Sequence, residues 1–410
     1  MKKTTKHILV VSQYFYPEQF RINDICCEWV KRGYKVTVLT GIPNYPQGEF
    51  YDGYNLKENR KEEWNGIQIV RIPLMARGHN AIGLIANYLS FVFSGYFWKC
   101  FTKIKADLVF TYEVSPMTQA LIGVWYSKKY QIPNYLYVTD LWPENVEIIT
   151  GIHSKVIIAP IQAMVDYIYR NCTRIFTSSN SFIKSIEKRN IDRANIEFWP
   201  QYAEDFYKPV NVVENEIPQD DIFNIVFAGN IGYAQGLGIL VEVAQILKKE
   251  NLQVRFNIIG DGRYKNEFID RINEGLVNEY FNFISRKSAE QIPNYLASAD
   301  ALLITLSKSE VFSITIPAKT QSCMACGKPI LVSADGEVQD IVLSAEAGLA
   351  SDSEDAQALA GNVKKMLKMS EGKLNEYGKN ALKYSQKHFN KEKLLDRMDS
   401  IFAEVRYVQK

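Results

Sequence analysis

Short β-rich runs alternate with helix-length amphipathic stretches along nearly the whole chain, and this alternation limits the fold more than any other feature. The strand candidates in the first half are His7–Phe15, Lys35–Gly41, Ile67–Pro73, Asp107–Glu113, Asn134–Leu141 and Arg174–Ser179. In the second half they are Phe223–Asn230, Val254–Gly260, Phe281–Ser285, Ala301–Leu306 and Pro329–Ala334. Between them lie patterns such as Ile22, Ile25, Cys26, Trp29 and Val30, the i, i+3, i+4, i+7, i+8 stripe of a helix, which Gly33 ends. Strands separated by helices pair in parallel, so the reading is α/β with two Rossmann-like, doubly wound domains. The unpatterned, acidic stretch Ala203–Asp221, with Pro209 and Pro218, marks the joint. The expected domains are 1–205 and 206–390, followed by a helix over 391–410 that can pack back on the first domain.

At 410 residues the chain is long enough for two large cores without disulfides or structural metal. The charge of +2 gives no reason to expect nucleic acid. The start, Met1 to Lys6, is short and polar, and six cysteines are scattered, so a cytoplasmic protein with reduced thiols is expected. Cys323 and Cys326 form a C-x-x-C without a second ligand pair and read as small apolar residues beside Gly327. There is no H-E-x-x-H and no Cys/His cluster; Asp352 to Asp355 reads as a helix start, and no metal is expected. With four histidines in all, His7, His79, His153 and His388, a Ser-His-Asp triad has little support.

Ligands of doubly wound sheets bind beyond the carboxyl ends of the strands, and with two such domains the expected place is the cleft between them. Strand Phe223–Asn230 runs into A-G-N-I-G-Y-A-Q-G-L, where Gly229, Gly232 and Gly236 let backbone approach a ligand and a helix follows. A tight turn that needs glycine is the other reading. Strand Val254–Gly260 ends in a second such turn, Gly260-Asp261-Gly262-Arg263. Neither is G-x-G-x-x-G, and the first strand is followed by S-Q-Y-F-Y-P-E-Q-F, so a dehydrogenase is disfavoured. In T-I-P-A-K-T-Q-S-C-M-A-C-G-K-P-I, Lys319 falls in the first turn of a short helix, where a cation opposes the helix dipole by roughly 0.3–1 kcal/mol. A phosphate would remove that conflict; an exposed lysine would simply bear it.

The segment A-C-G-K-P-I after a short helix resembles the donor-binding segment of retaining glycosyltransferases of family 4, with the GT-B fold. V-S-Q-Y-F-Y-P-E, L-T-G-I-P-N-Y-P-Q-G, T-D-L-W-P-E and A-G-N-I-G fit in order, and they are most similar to the bacterial surface-polysaccharide branch with its WbuB-like L-fucosamine transferases. The resemblance implies a UDP-linked sugar donor held mainly by the second domain, with no further cofactor. It implies an acceptor such as a polyprenyl-diphosphate-linked saccharide in capsule or O-antigen assembly. An interfacial patch in the stretch 81–104 would fit such an acceptor, with peripheral contact at the cytoplasmic face of the inner membrane and lysines beside anionic lipid.

Carried onto this chain, the donor residues are Gly229, Asn230, Gly232, Gln235, Gly260, Gly262, Arg286, Thr315, Pro317, Gln321 and Ser322, with Lys319 and Glu310 nearest the chemistry. The family's Arg and Lys near the diphosphate correspond to neutral Asn230 and Gln235, so charge compensation falls to Lys319, Arg286, Lys287 or Arg263. The family's glutamate pair is also missing, its second member replaced by Ser322. A family histidine before an aspartate is here Thr139, before Asp140, which is the acceptor contact or else an N-cap. On the acceptor side the candidates are Arg21, Asn44, Tyr45, Trp142 and Glu144. Two readings from other classes stay open: a UDP-sugar 2-epimerase, and a degenerate nucleotide-binding partner subunit of another transferase.

Ala81–Trp98 is an uncharged stretch followed by Lys99, Lys103 and Lys105. It can be a membrane span, an interfacial helix or a buried sheet-covering helix.

Overall fold

The computed structural model describes residues 5–78, 80–146, 154–212 and 214–404; His79 and His153 lie outside them. The chain divides into two compact units, Met1–Trp199 and Pro200–Lys410. The first holds β1 (His7–Val11), β2 (Lys35–Gly41), β3 (Lys61–Trp64), β4 (Ile67–Ile72), β5 (Leu108–Glu113), β6 (Asn134–Val138), β7 (Arg174–Thr177) and β8 (Ile196–Phe198). Their order is β3-β4-β2-β1-β5-β6-β7-β8. All neighbours run parallel except β3 and β4, a hairpin in which Lys61 faces Val70 and Trp64 faces Ile67. Its turn is Asn65-Gly66, both at positive φ, as a two-residue hairpin turn requires.

The second unit has an all-parallel sheet of β9 (Phe223–Ala228), β10 (Val254–Ile259), β11 (Phe281–Ile284), β12 (Ala301–Thr305), β13 (Ile330–Ser333) and β14 (Gly348–Ser351), in the order β11-β10-β9-β12-β13-β14. Winding reverses between β1 and β5 in the first sheet and between β9 and β12 in the second. Each reversal leaves a crevice at the carboxyl ends of those strands.

Local sequence explains the covering helices. Arg21–Lys31 buries Ile22, Ile25, Cys26 and Trp29. It closes as predicted at Gly33 (φ 90°), with Tyr34 N–H donating to the Trp29 carbonyl and Gly33 N–H to that of Val30. Ile239–Lys249 turns Leu240, Val243, Ala244 and Leu247 onto the second sheet. The helix Lys391–Glu404 buries Leu395, Met398 and Phe402, and Lys391 bonds Asp205 within the second unit at 2.9 Å.

Candidate functional site

The crevice of the second sheet is built from backbone. Gly229 follows β9 at φ +150° and Gly260 follows β10 at φ +142°. A Cβ on Gly260 would stand 2.0 Å from the Gly229 carbonyl oxygen, and one on Gly262 2.3 Å from that of Ile231. The two turns therefore lie chain against chain, with no room for side chains. The turn Tyr233–Gln235 is pinned to the end of β12: Ser307 N–H donates to the Ala234 carbonyl (3.0 Å), and the Thr305 and Ser307 hydroxyls donate to those of Gln235 and Tyr233. Gly236, at φ +61°, closes it.

Lys319 reaches into this frame from the helix Ala318–Ala325, whose N-cap is Pro317. Its Nζ donates to Gln235 Oε1 at 2.7 Å and lies 3.6 Å from the centroid of the Phe227 ring. A Cβ on Gly229 would be 3.1 Å from that nitrogen. Among the described residues no carboxylate pairs with it. Burial pulls the amine down to about 7, only slightly opposed by Cys323. A partly desolvated lysine at a helix start, facing glycine backbone, is short of negative charge, which an anionic group such as a phosphate would supply.

The other predicted donor residues divide. Asn230, Arg286 and Glu310 are exposed. Glu310 opens a short helix capped by Ser309, whose hydroxyl accepts from Val311 N–H. Thr315 donates its hydroxyl to the Val311 carbonyl at 2.7 Å. Gln321 is fully buried, its amide against the Ala318 and Pro317 carbonyls at 3.0 and 3.2 Å, so it secures its own helix. Ser322 is buried too. Of the other cations named for charge compensation, Lys287 is held by Glu216 at 2.6 Å. The Cys323 thiol is pushed up to about 12 by burial, which disfavours a thiolate role.

In the first domain, Asp140 follows β6. Its Oδ2 accepts from Ser115 N–H at 2.8 Å, so it ties the loops after β5 and β6 together. Trp142 Nε1 donates to Ser115 Oγ at 3.0 Å, in the same junction. Behind Asp140 lies Glu113, fully buried and missed in the sequence; burial and then the Asp140 charge push its carboxyl well up. Glu144 is paired with Arg189 at 3.1 Å, which also holds Asp166. Asn44 is buried with its side chain consumed: Nδ2 donates to the Ile42 carbonyl, and Oδ1 accepts from Arg77 N–H and Asn87. Tyr45 packs against the stacked rings of Tyr14 and Phe20 with Arg77 over its ring, and Arg21 sits half-buried at its helix start. Asn44 is thus a support, while Tyr45 and Asp140 keep partial exposure.

Glu18, also missed, organises this edge. Its carboxylate accepts from Asn44 N–H (2.8 Å), Tyr45 N–H (2.7 Å) and Phe15 N–H (3.3 Å). Burial pushes the carboxyl up to about 7, above its ordinary 4.5, despite these donors. The folded chain therefore binds more protons between those values, and the group's contribution to stability falls as pH rises through them. Urea unfolding at pH 5 and at pH 7.5 should show the native chain losing about 2 kcal/mol more than Glu18→Gln over that interval.

Residues 211–384 match the family described as Glycosyl transferases group 1. The chain is 28% identical over 139 residues to the amylovoran biosynthesis glycosyltransferase AmsK of Erwinia amylovora, a match that covers 34% of this chain and 33% of AmsK. It is 23% identical over 352 residues to WcaI of Escherichia coli K12, whose name gives it as a colanic acid biosynthesis glycosyl transferase; that match covers 80% of this chain and 83% of WcaI. The match thus spans about a third of the length of AmsK and most of WcaI. Among solved structures, sucrose-phosphate synthase from Thermosynechococcus elongatus superposes with a TM-score of 0.78 at 15% identity, covering 98% of this chain and 99% of that one. Anabaena HepE in complex with UDP and glucose superposes with a TM-score of 0.71 at 14% identity, covering 98% and 100%. The chain has the two-domain GT-B fold, and its residues 211–384 match the family Glycosyl transferases group 1.

Proposed function

We propose that the chain is a retaining glycosyltransferase of family 4 that moves a sugar from a UDP-linked donor to a lipid-linked saccharide in bacterial surface-polysaccharide assembly. The transferred sugar in this reading is an N-acetylated deoxyamino sugar such as N-acetyl-L-fucosamine. The observation that carries the reading is Lys319 Nζ beside Gly229 and Gln235, without a carboxylate partner among the described residues, at the winding reversal of the second sheet. The names of AmsK and WcaI support a polysaccharide product, and UDP in the HepE complex supports the donor class.

In this reaction the bond from the anomeric carbon to the diphosphate breaks. The acceptor oxygen bonds that carbon on the same face, and its proton passes to the departing diphosphate oxygen. No enzyme nucleophile is needed. Lys319 and the backbone amides beside it stabilise the charge gathering on the diphosphate. Asp140 orients the acceptor hydroxyl, and behind it burial and then the Asp140 charge push the Glu113 carboxyl well up.

Thermal unfolding with UDP, GDP or NAD tests the donor site. A ligand at a hundred times its Kd adds about 2.7 kcal/mol, readily seen as a shift. UDP alone should shift the transition, and Lys319→Ala should lose the shift. A response to GDP instead would replace the donor nucleotide. No response to any of them would favour a non-catalytic partner subunit.

A further inference from the structure

The helix Ala81–Phe101 has its polarity inverted. Asn87, Phe91 and Gly95, four residues apart, face inward. Phe91 joins the core formed by Leu9, Val11 and Leu39, and a Cβ on Gly95 would stand 2.2 Å from Ile122 Cδ1. On the opposite face, Ile82, Ile85, Leu89, Phe93, Phe97 and Phe101 form one stripe at helical spacing, and all are exposed, Ile82 and Phe101 by 79% and 80%. A surface helix ordinarily presents charge there. Contiguous apolar area of this kind marks an interaction surface.

Charge selects what the stripe meets. No Asp or Glu occurs between Glu63 and Asp107, while Lys99, Lys103 and Lys105 follow the apolar residues. Where the helix ends, a groove of about 930 Å³ is lined by Lys35, Lys61, Lys103 and Lys105 together with Phe93 and Phe101. An apolar ridge edged with lysines matches an anionic lipid surface, acyl chains against the ridge and headgroup phosphates against the amines. At 21 residues the helix is long enough to cross a bilayer. Asn87 opposes a crossing: its Nδ2 donates to the Met75 carbonyl (2.6 Å) and its Oδ1 accepts from Gln13 Nε2 (2.7 Å). Withdrawal into lipid would break both bonds and leave buried polar groups unpaired.

We infer that the outer face of this helix and the lysine-lined groove at its end dock the first domain on an anionic phospholipid bilayer, the helix lying in the interface rather than spanning it. This inference does not rest on sugar transfer, and the nucleotide response can fail without touching it.

Co-sedimentation of the full chain with vesicles tests it. The chain should bind phosphatidylglycerol–phosphatidylethanolamine vesicles and not phosphatidylcholine vesicles, and high salt should weaken the binding. Lys103→Gln/Lys105→Gln should weaken it roughly 25-fold, and Phe93→Ser/Phe97→Ser at least about tenfold. Unchanged melting of each variant keeps these losses interpretable, and the salt response of the native chain stands if a variant misfolds. Equal binding to both vesicle types would overturn the proposal. So would resistance to alkaline carbonate extraction, which means a span, or a dimer without vesicle binding that Phe93→Ser/Phe97→Ser dissolves.

Discussion

Lys319→Ala is expected to lower sugar transfer by roughly 10²–10³-fold, the loss seen when one preorganised donor to a developing anion is removed. The free chain carries the opposite signature. The folded pKa of about 7 lies below the ordinary 10.5, so the unfolded chain binds more protons between those values. Stability then rises with pH across that window and is reduced in full below it. Lys319→Met should therefore unfold at higher urea than the native chain at pH 6, with an upper limit of ~5 kcal/mol, and converge with it near pH 10. A diphosphate restores the proton, so UDP affinity should fall up to about tenfold per pH unit above 7. Calorimetry in buffers of different ionisation enthalpy should record the proton taken up. Affinity independent of pH would remove Lys319 from the diphosphate.

Gly260→Ala is the second large effect. Its Cβ would meet the Gly229 carbonyl oxygen at 2.0 Å, a backbone atom that cannot swing aside, at a φ that side chains rarely adopt. A loss of about 3 kcal/mol or more is expected in urea unfolding, together with loss of the nucleotide response. Gly361→Ala is the control. That glycine lies inside the helix Ala356–Leu367 with nothing within 4 Å of an added Cβ, and the change should stabilise by about 1 kcal/mol.

The strands legible in the sequence are those buried on both faces, because such strands must be continuous apolar runs: β1, β5 and β12 read directly from Ile8–Val11, Leu108–Phe110 and Leu302–Ile304. Three strands were missed. β3 is Lys-Glu-Glu-Trp, an edge strand with polar residues on both faces, although Asn65-Gly66 after it was a hairpin signal. β8 has three residues, and β14 is Gly-Leu-Ala-Ser, without a β-branched residue. Lys35–Gly41 and the end of Asp107–Glu113 were read correctly, but the other predicted strands overran at their carboxyl ends, as His7–Phe15 did against His7–Val11, where the loop is itself buried: Tyr14 and Phe15 pack as tightly as a strand.

The glycine turns and Lys319 were readable because each lies in a short local motif, and the fold brings them together. Asn44 and Gln321 misled because a polar side chain after a strand or in a helix looks the same whether it faces ligand or closes a hydrogen bond inside the fold. Glu18 and Glu113 were invisible for a related reason. Their burial comes from contacts far along the chain, such as Glu18 with the backbone of Asn44 and Tyr45.

The contact between Gly229 and Gly260 also bears on how such a protein diversifies. Two walls of the crevice are main chain pressed on main chain, so a side chain gained at Gly260 or Gly262 would have to displace the Gly229 or Ile231 carbonyl. If the proposed function holds, heritable change in donor preference would enter through exposed side chains such as Asn230 and Glu310. On the proposed reading, a lineage could exchange sugars there while the backbone that would seat the diphosphate stays as it is.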